Sequence, residues 1–220
     1  ALLCLIADGK VAHYERLTEF LFFGELGLDG SIKRVNGILP SVISAKQKGY
    51  QTFFIPAENF YELEYVSDIT LIPIKHFSQV ANFLLKWASL EHFRNAKNLT
   101  DLINQSPSLL NDFSSIKGQI IAKRALSIAA AGLHNVLMVW APGSGKTMLS
   151  KALPNILPPL DFPEILEVSQ IYSVVWKLNK DQPLITQRPF RQVHHTASKV
   201  SIIGGGTHLT PGEISLAHKG

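Results

Sequence analysis

Gly143, Ser144, Gly145, Lys146 and Thr147 are the residues of this chain whose types and spacing could hold a phosphate. They lie in the run VWAPGSGKT, residues 139–147, which fits G-x-x-x-x-G-K-[ST] except at its first glycine, where Trp140 stands. Gly143 and Gly145 let the backbone approach an anion with no Cβ in the way. The N–H groups of 143–147, at the start of a helix, would form a positively polarised nest. Lys146 would reach the β and γ phosphates as a point charge, and the Thr147 hydroxyl would be a ligand of Mg²⁺. Trp140 is the departure. If its position requires a positive φ, a bulky side chain there stores about 1–3 kcal/mol of strain.

Other chemistry is weaker. His194, His195, His208 and His218 are irregularly spaced, and the single cysteine, Cys4, removes any cysteine-based zinc site, so no structural metal is expected. The histidines are expected to hydrogen-bond within a loop or to face DNA or a neighbour. Gly204–Gly206 has no strand before it and no helix after it, and reads as a flexible or tightly turning surface segment. Arg188 and Arg191 in RPFRQVHH fit either phosphate contacts or a solvated basic face.

A phosphate loop needs a strand before it and a helix after it. NVLMVW (135–140) is a continuous apolar run of the kind that a buried parallel strand requires. KTMLSKALPNIL follows as a helix with Leu149, Ala152 and Leu153 inward. Ahead of both, GQIIAKRALSIAAAG places Ile121, Ala125, Ile128 and Ala129 on one helical face, with Gly132 closing the helix. Residues 1–87 alternate between strand-like and helix-like patterns. FLFFGEL and IKRVN read as strands joined by a turn at Asp29–Gly30. GILPSVISAKQKG reads as a helix closed by Gly49, TFFIP as a strand, AENFYELEYV as a helix, TLIPIK as a strand and FSQVANFLLKW as a helix. That rhythm predicts an α/β layer. Residues 88–112 are polar and read as a linker in which LTDLINQ forms a helical turn. The fold class is therefore α/β, with domains at 1–87 and 113–220.

Composition sets outer limits. At 220 residues with 46% hydrophobic and 17% charged residues, the chain is long enough for real cores and too apolar for disorder. A net charge of +4 without a dense basic run is compatible with nucleic acid without being diagnostic of it. No apolar stretch is long enough to span a bilayer. ALLCLIADGK lacks a basic leader and reads as a core helix, so the cytoplasm is the expected location. Both ends read as cut.

In these motifs the chain resembles the magnesium-chelatase-like AAA+ ATPases of the competence-protein ComM (YifB) type. The resemblance rests on FSSIKGQIIAKRALSIAAAGLHNVLM, PGSGKTMLSKALPNILPPL, EVSQIYSV, RPFRQVHHTAS and GGGTHLTPGEISLAHKG, which together run through most of 113–220. FFGELGLDGSIKRVNGILPSVISAKQKGYQTFFIPAEN is similar to the second half of the Lon-protease-like (S5-type) domain that precedes the ATPase core in this family. The resemblance implies ATP and Mg²⁺ as cofactors and a homo-oligomeric, hexameric ring. It implies a DNA motor that drives branch migration in natural transformation. Ile116, Gly118 and Gln119 would lie beside the adenine, and 143–147 would hold the phosphates. The position of the Lon catalytic lysine is Leu39, so proteolysis is not expected.

Two tryptophans, Trp140 and Trp176, stand where the family carries glycine. The acidic pair, sensors, arginine finger and lid of the family are expected beyond LAHKG, so no catalytic residue for hydrolysis is expected within these residues. A non-functional remnant with a degraded loop and a chelatase-type regulatory subunit are the alternatives.

Overall fold

The structure, a computed structural model, describes residues 14–86, 89–94, 97–105, 112–206 and 209–220. The expected helix around Cys4, His208 and part of the 88–112 linker lie outside the described residues. In chain order the elements are β1 (Phe20–Phe22), β2 (Glu25–Leu26), β3 (Ile32–Lys33), α1 (Ile38–Gln47), β4 (Thr52–Pro56), α2 (Phe60–Leu63), β5 (Thr70–Ile74) and α3 (Phe77–Lys86). They continue with α4 (Leu99–Gln105), α5 (Ile120–Gly132), α6 (Lys146–Ala152), α7 (Phe162–Val174), α8 (Lys199–Ile203), β6 (Gly204–Gly205), β7 (Thr210–Pro211) and α9 (Glu213–Leu216). Among the described residues no helix is long and apolar enough to cross a membrane. The chain divides into two units, one of residues 1–99 with 169–184, the other of residues 100–168 with 185–220.

The first unit is a parallel α/β layer. β4 lies between β1 and β5, pairing parallel with both, with Phe22 opposite Phe54 and Phe54 opposite Ile72. Phe53, Phe54 and Ile55 are fully buried, which is why β4 reads as a continuous apolar run and not as an alternation. Phe54 anchors the core with Ile72, Ile74, Val80 and Leu84, stacked on Phe22 at 4.5 Å and edge-on to Phe20 at 5.8 Å. α1 buries Ile38, Leu39 and Val42. Gly49, φ 96°, closes it, with the Gly49 and Tyr50 N–H groups returning to Lys46 and Ala45. FLFFGEL, expected as one strand, is split: Phe20–Phe22 joins the parallel sheet as β1, and only Glu25–Leu26 enters the antiparallel hairpin with β3, where the Asp29 carboxylate caps the turn on the Ser31 N–H and hydroxyl. Those bonds hold the Asp29 carboxyl below the usual carboxylate range. The helix expected from AENFYELEYV is shorter than its pattern, a 3₁₀ turn at Ala57–Asn59 followed by α2. Asn59 is occupied elsewhere: its side-chain amide pairs with both backbone groups of Val35 at 2.9 and 3.0 Å.

A polar network ties 169–184 into this unit. Glu62, 1% exposed, accepts from Arg34 at 3.0 Å, Asn59 at 3.0 Å and the Ser173 hydroxyl at 2.6 Å. Arg34 also donates to the Leu178 carbonyl, as does the Tyr61 hydroxyl, each at 3.1 Å. Burial and the neighbouring Glu62 charge push the Tyr61 phenol up to about 12. α7 ends just beyond Ser173. Trp176 and Lys177 donate back to Ser173 and Tyr172, and Trp176 sits at φ 58° in the left-handed slot that Gly49 fills for α1.

The second unit packs α5 on α6 around Ile116, Ala122, Leu126, Leu149 and Ala152. Three sequence expectations change here. The buried face of α5 is Ala122, Leu126 and Ala130, whereas Ile121 is 86% exposed and Ile128 is also exposed. The helix is apolar almost all round, so its periodicity does not select a single face. The helix closes at Leu133, φ 50°, not at Gly132, because the left-handed slot falls one residue later. NVLMVW is the third. It forms no strand, and Leu137 and Val139 are 89% and 79% exposed. Apolar character permits a strand, but a strand needs a neighbour, and no described residue pairs with this run.

Candidate functional site: the glycine loop before α6

The glycine loop joins the 135–140 run to α6. Gly143 and Gly145 adopt φ 78° and 90°, where any L side chain is strained, so both glycines are required by the backbone path. Trp140 is not among the described residues with positive φ. The strain anticipated at that position is therefore absent. The residue lines, with Ile121, Ala125 and Val139, a cleft of about 290 Å³ beside α5.

Lys146, the first residue of α6, turns back onto its own loop. Its Nζ donates to the Trp140 carbonyl at 2.6 Å and the Ala141 carbonyl at 2.8 Å. Gly118 and Gln119, φ 68° and 55°, kink the chain into α5 and send the Gln119 amide to the Ser144 carbonyl at 3.1 Å. The structure thus brings Gln119 to the loop. It places Ile116 elsewhere: the side chain is buried in the α5–α6 core and its carbonyl accepts from Lys123. Thr147 is exposed on the first turn of α6. The Ser144 hydroxyl is buried without a hydrogen-bond partner.

These features fit a bound polyphosphate. The two carbonyls satisfy the Lys146 ammonium without neutralising it, so an anionic phosphate oxygen, which adds charge pairing to the hydrogen bond, is a better partner. The lone Ser144 hydroxyl and the exposed Thr147 hydroxyl supply further polar groups. The Trp140 and Ala141 carbonyls escaped sequence reasoning because a backbone acceptor leaves no residue-type signal.

The remaining sequence candidates are engaged otherwise. Arg188 donates to the Pro158 carbonyl at 2.5 Å and the Lys219 carbonyl at 2.7 Å. Arg191 forms a two-pronged pair with Glu213 at 2.5 and 2.8 Å. Both arginines therefore brace the second unit, which neither of their sequence readings anticipated. His194 and His195 are exposed with rings 4.2 Å apart, and His194 bonds the Thr196 hydroxyl at 2.6 Å. His218 lies 3.5 Å from Glu167. Gly204 and Gly205 pair with Thr210 and Pro211 in an antiparallel ladder, so this end of the glycine run is a structured turn. A Cβ at Gly204 would meet the Gly212 nitrogen and the Thr210 carbonyl at 2.8 Å.

The family profile described as "Magnesium chelatase, subunit ChlI" matches residues 112–220, and "Subunit ChlI of Mg-chelatase" matches residues 1–59. The chain is 37% identical over 226 residues to "Competence protein ComM" of Haemophilus influenzae, covering 98% of this chain and 42% of that protein. It is 38% identical over 218 residues to "Uncharacterized protein YifB" of Salmonella typhimurium, covering 98% of this chain and 41% of that protein. Similarity to "Lon protease 2" of Bacillus subtilis is confined to 63 residues at 35% identity, 28% of this chain and 11% of that protein. The chain thus spans well under half the length of the relatives that it matches nearly end to end. It belongs to the magnesium-chelatase-like family of the ComM and YifB type.

Proposed function

We propose that residues 143–147 are the phosphate-binding part of an ATP site in an AAA+ ATPase. The observation that carries this reading is the combination of left-handed Gly143 and Gly145 with Lys146 poised over the same loop. ATP bound with Mg²⁺ supplies a transferable γ-phosphoryl group. In this reading the loop N–H groups would hold the phosphates, Lys146 would exchange its two carbonyls for phosphate oxygen, and Thr147 would offer its hydroxyl to the metal. Gln119 fixes the loop through the Ser144 carbonyl and borders the nucleoside side. Gly118 permits the kink, and Ile116 acts from beneath as packing.

For the whole protein we propose a homo-oligomeric, ring-forming, ATP-driven DNA motor, with branch migration as its action. The match of 98% of this chain to 42% of a protein named for competence supports it. The first unit, 1–87 in the sequence reading, serves as a Lon-like structural domain. Leu39, fully buried and aliphatic, cannot activate a serine. The description of both family profiles favours a second reading, a chelatase subunit that drives metal insertion.

Titration of a fluorescent ATP analogue with Mg²⁺ into the chain and its Lys146→Ala variant tests the site. Saturable binding that Lys146→Ala weakens supports it, and equal binding by both refutes it. Assay of the longer family protein for branch migration beside metal insertion separates the motor from the chelatase reading.

A further inference from the structure

The first unit carries an open cleft of about 750 Å³ that the ATP reading does not use. Its lining includes Lys33, Arg34, Lys75, Lys180, Trp176 and Glu58. The floor is built. The Arg34 guanidinium lies 4.5 Å from the Trp176 ring centre and 5.4 Å from the Tyr61 ring centre. Its position is fixed by the Glu62 carboxylate and the Leu178 carbonyl. The Trp176 indole is held against this cation yet remains 47% exposed. It is held at a cost, because its backbone is left-handed at φ 58°, where a bulky residue is disfavoured. Lys33, Lys75 and Lys180 are exposed around the same cleft, and among the described residues none of them is in an ion pair within 4 Å.

We infer that this cleft binds single-stranded nucleic acid, with a base stacked on the free part of the Trp176 indole and backbone phosphates on Lys33, Lys75 and Lys180. A half-exposed aromatic ring backed by a guanidinium, inside a ring of lysines, is the arrangement that single strands use without regard to sequence. The volume suits one or two nucleotides and not a duplex. Glu25 and Glu58 also line the cleft. They oppose a compact polyphosphate, which would concentrate negative charge beside them, and they accept hydrogen bonds from exocyclic amino groups of a base. The proposal is independent of the ATP reading, since it uses none of residues 116–147.

The test is fluorescence anisotropy of a labelled twelve-nucleotide oligodeoxyadenylate titrated with the full chain, in low and in moderate salt. Trp176→Gly is the key variant because glycine suits the left-handed backbone, so folding is retained and thermal unfolding confirms it. Trp176→Gly and the double variant Lys33→Gln/Lys180→Gln are each expected to weaken binding by about ten-fold or more. Lys48→Gln, at an exposed lysine outside the cleft, is expected to bind the oligonucleotide as the parent does. Affinity falls as salt rises, and the lysine double variant shows the smaller salt slope. The proposal is overturned by absence of binding, by equal binding to Trp176→Gly, or by tighter binding of the matching duplex. Competition by polyglutamate at equal charge concentration also overturns it, because an acidic peptide would then be the better fit.

Discussion

Replacing Trp140 with glycine restores the phosphate-loop pattern in the sequence, and it is expected to leave ATP affinity nearly unchanged. The backbone at Trp140 is not left-handed, so glycine relieves no strain there. The carbonyl that receives Lys146 belongs to the backbone and survives the substitution. Glycine adds loop freedom that must be lost on binding, about 0.5–1 kcal/mol, which weakens affinity by roughly two- to five-fold at most. Lys146→Ala removes charge-assisted bonds to phosphate, about 1.5–3 kcal/mol, and weakens affinity by roughly ten- to 150-fold. Calorimetric titration of Mg·ATP into the parent and both variants measures the two effects. A gain of ten-fold or more in Trp140→Gly would refute the reasoning, since it would show the indole blocking the site despite an unstrained backbone.

Further outcomes follow from the same geometry. Leu133→Gly is expected to raise stability by about 0.5–1 kcal/mol, since an exposed leucine at φ 50° holds a slot that suits glycine, and urea midpoints of the second unit measure it. Glu62→Gln is expected to destabilise the first unit by about 3 kcal/mol, because it leaves the Arg34 guanidinium with no charged partner, and its denaturation midpoint reads the loss. Tyr61 has its folded-state value raised, so its contribution is complete below pH 10 and is lost as pH rises from 10 through about 12. The stability difference between the parent and Tyr61→Phe, followed by urea midpoint across that range, should shrink as pH rises. A difference independent of pH from 9 to 12 would contradict the assigned cause.

The first unit was largely legible in the sequence because its elements differ in period. β4 and β5 are short apolar runs bounded by turns, α1 and α3 are amphipathic, and Asp29–Gly30 and Gly49 are placed where the backbone needs them. α5 was harder to read. Ile121 and Ile128 make as good an apolar stripe as Ala122, Leu126 and Ala130, and only packing distinguishes them. The loop glycines and Lys146 were visible as residue types, and Gln119 was visible through the family resemblance. The network of Arg34, Glu62 and Ser173 was not, because its members are far apart in sequence and belong to no motif. Trp176 was visible only as a departure from an expected glycine. Its left-handed backbone gives that expectation a physical basis, and its contact with Arg34 gives the tryptophan something to do.

The run 135–140 shows most clearly how a correct local reading depends on a partner. Its residues are apolar enough for a central strand, yet Leu137 and Val139 face solvent and no ladder hydrogen bonds form among the described residues. Met138 alone packs inward, against the α5–α6 core. The backbone amides of Val136 to Val139 are therefore expected to exchange with solvent at rates close to those of an unstructured peptide. The amides of Phe53 to Ile55, bonded within the parallel sheet, are expected to be protected by orders of magnitude. Residue-resolved hydrogen exchange on the chain decides it. Strong protection at 136–139 would mean that the run is paired in solution, and the glycine loop would then hang from a rigid strand. Weak protection leaves the Lys146 contacts with Trp140 and Ala141 as the main local tether of the loop, so Lys146→Ala should raise exchange at 140–145 even without nucleotide.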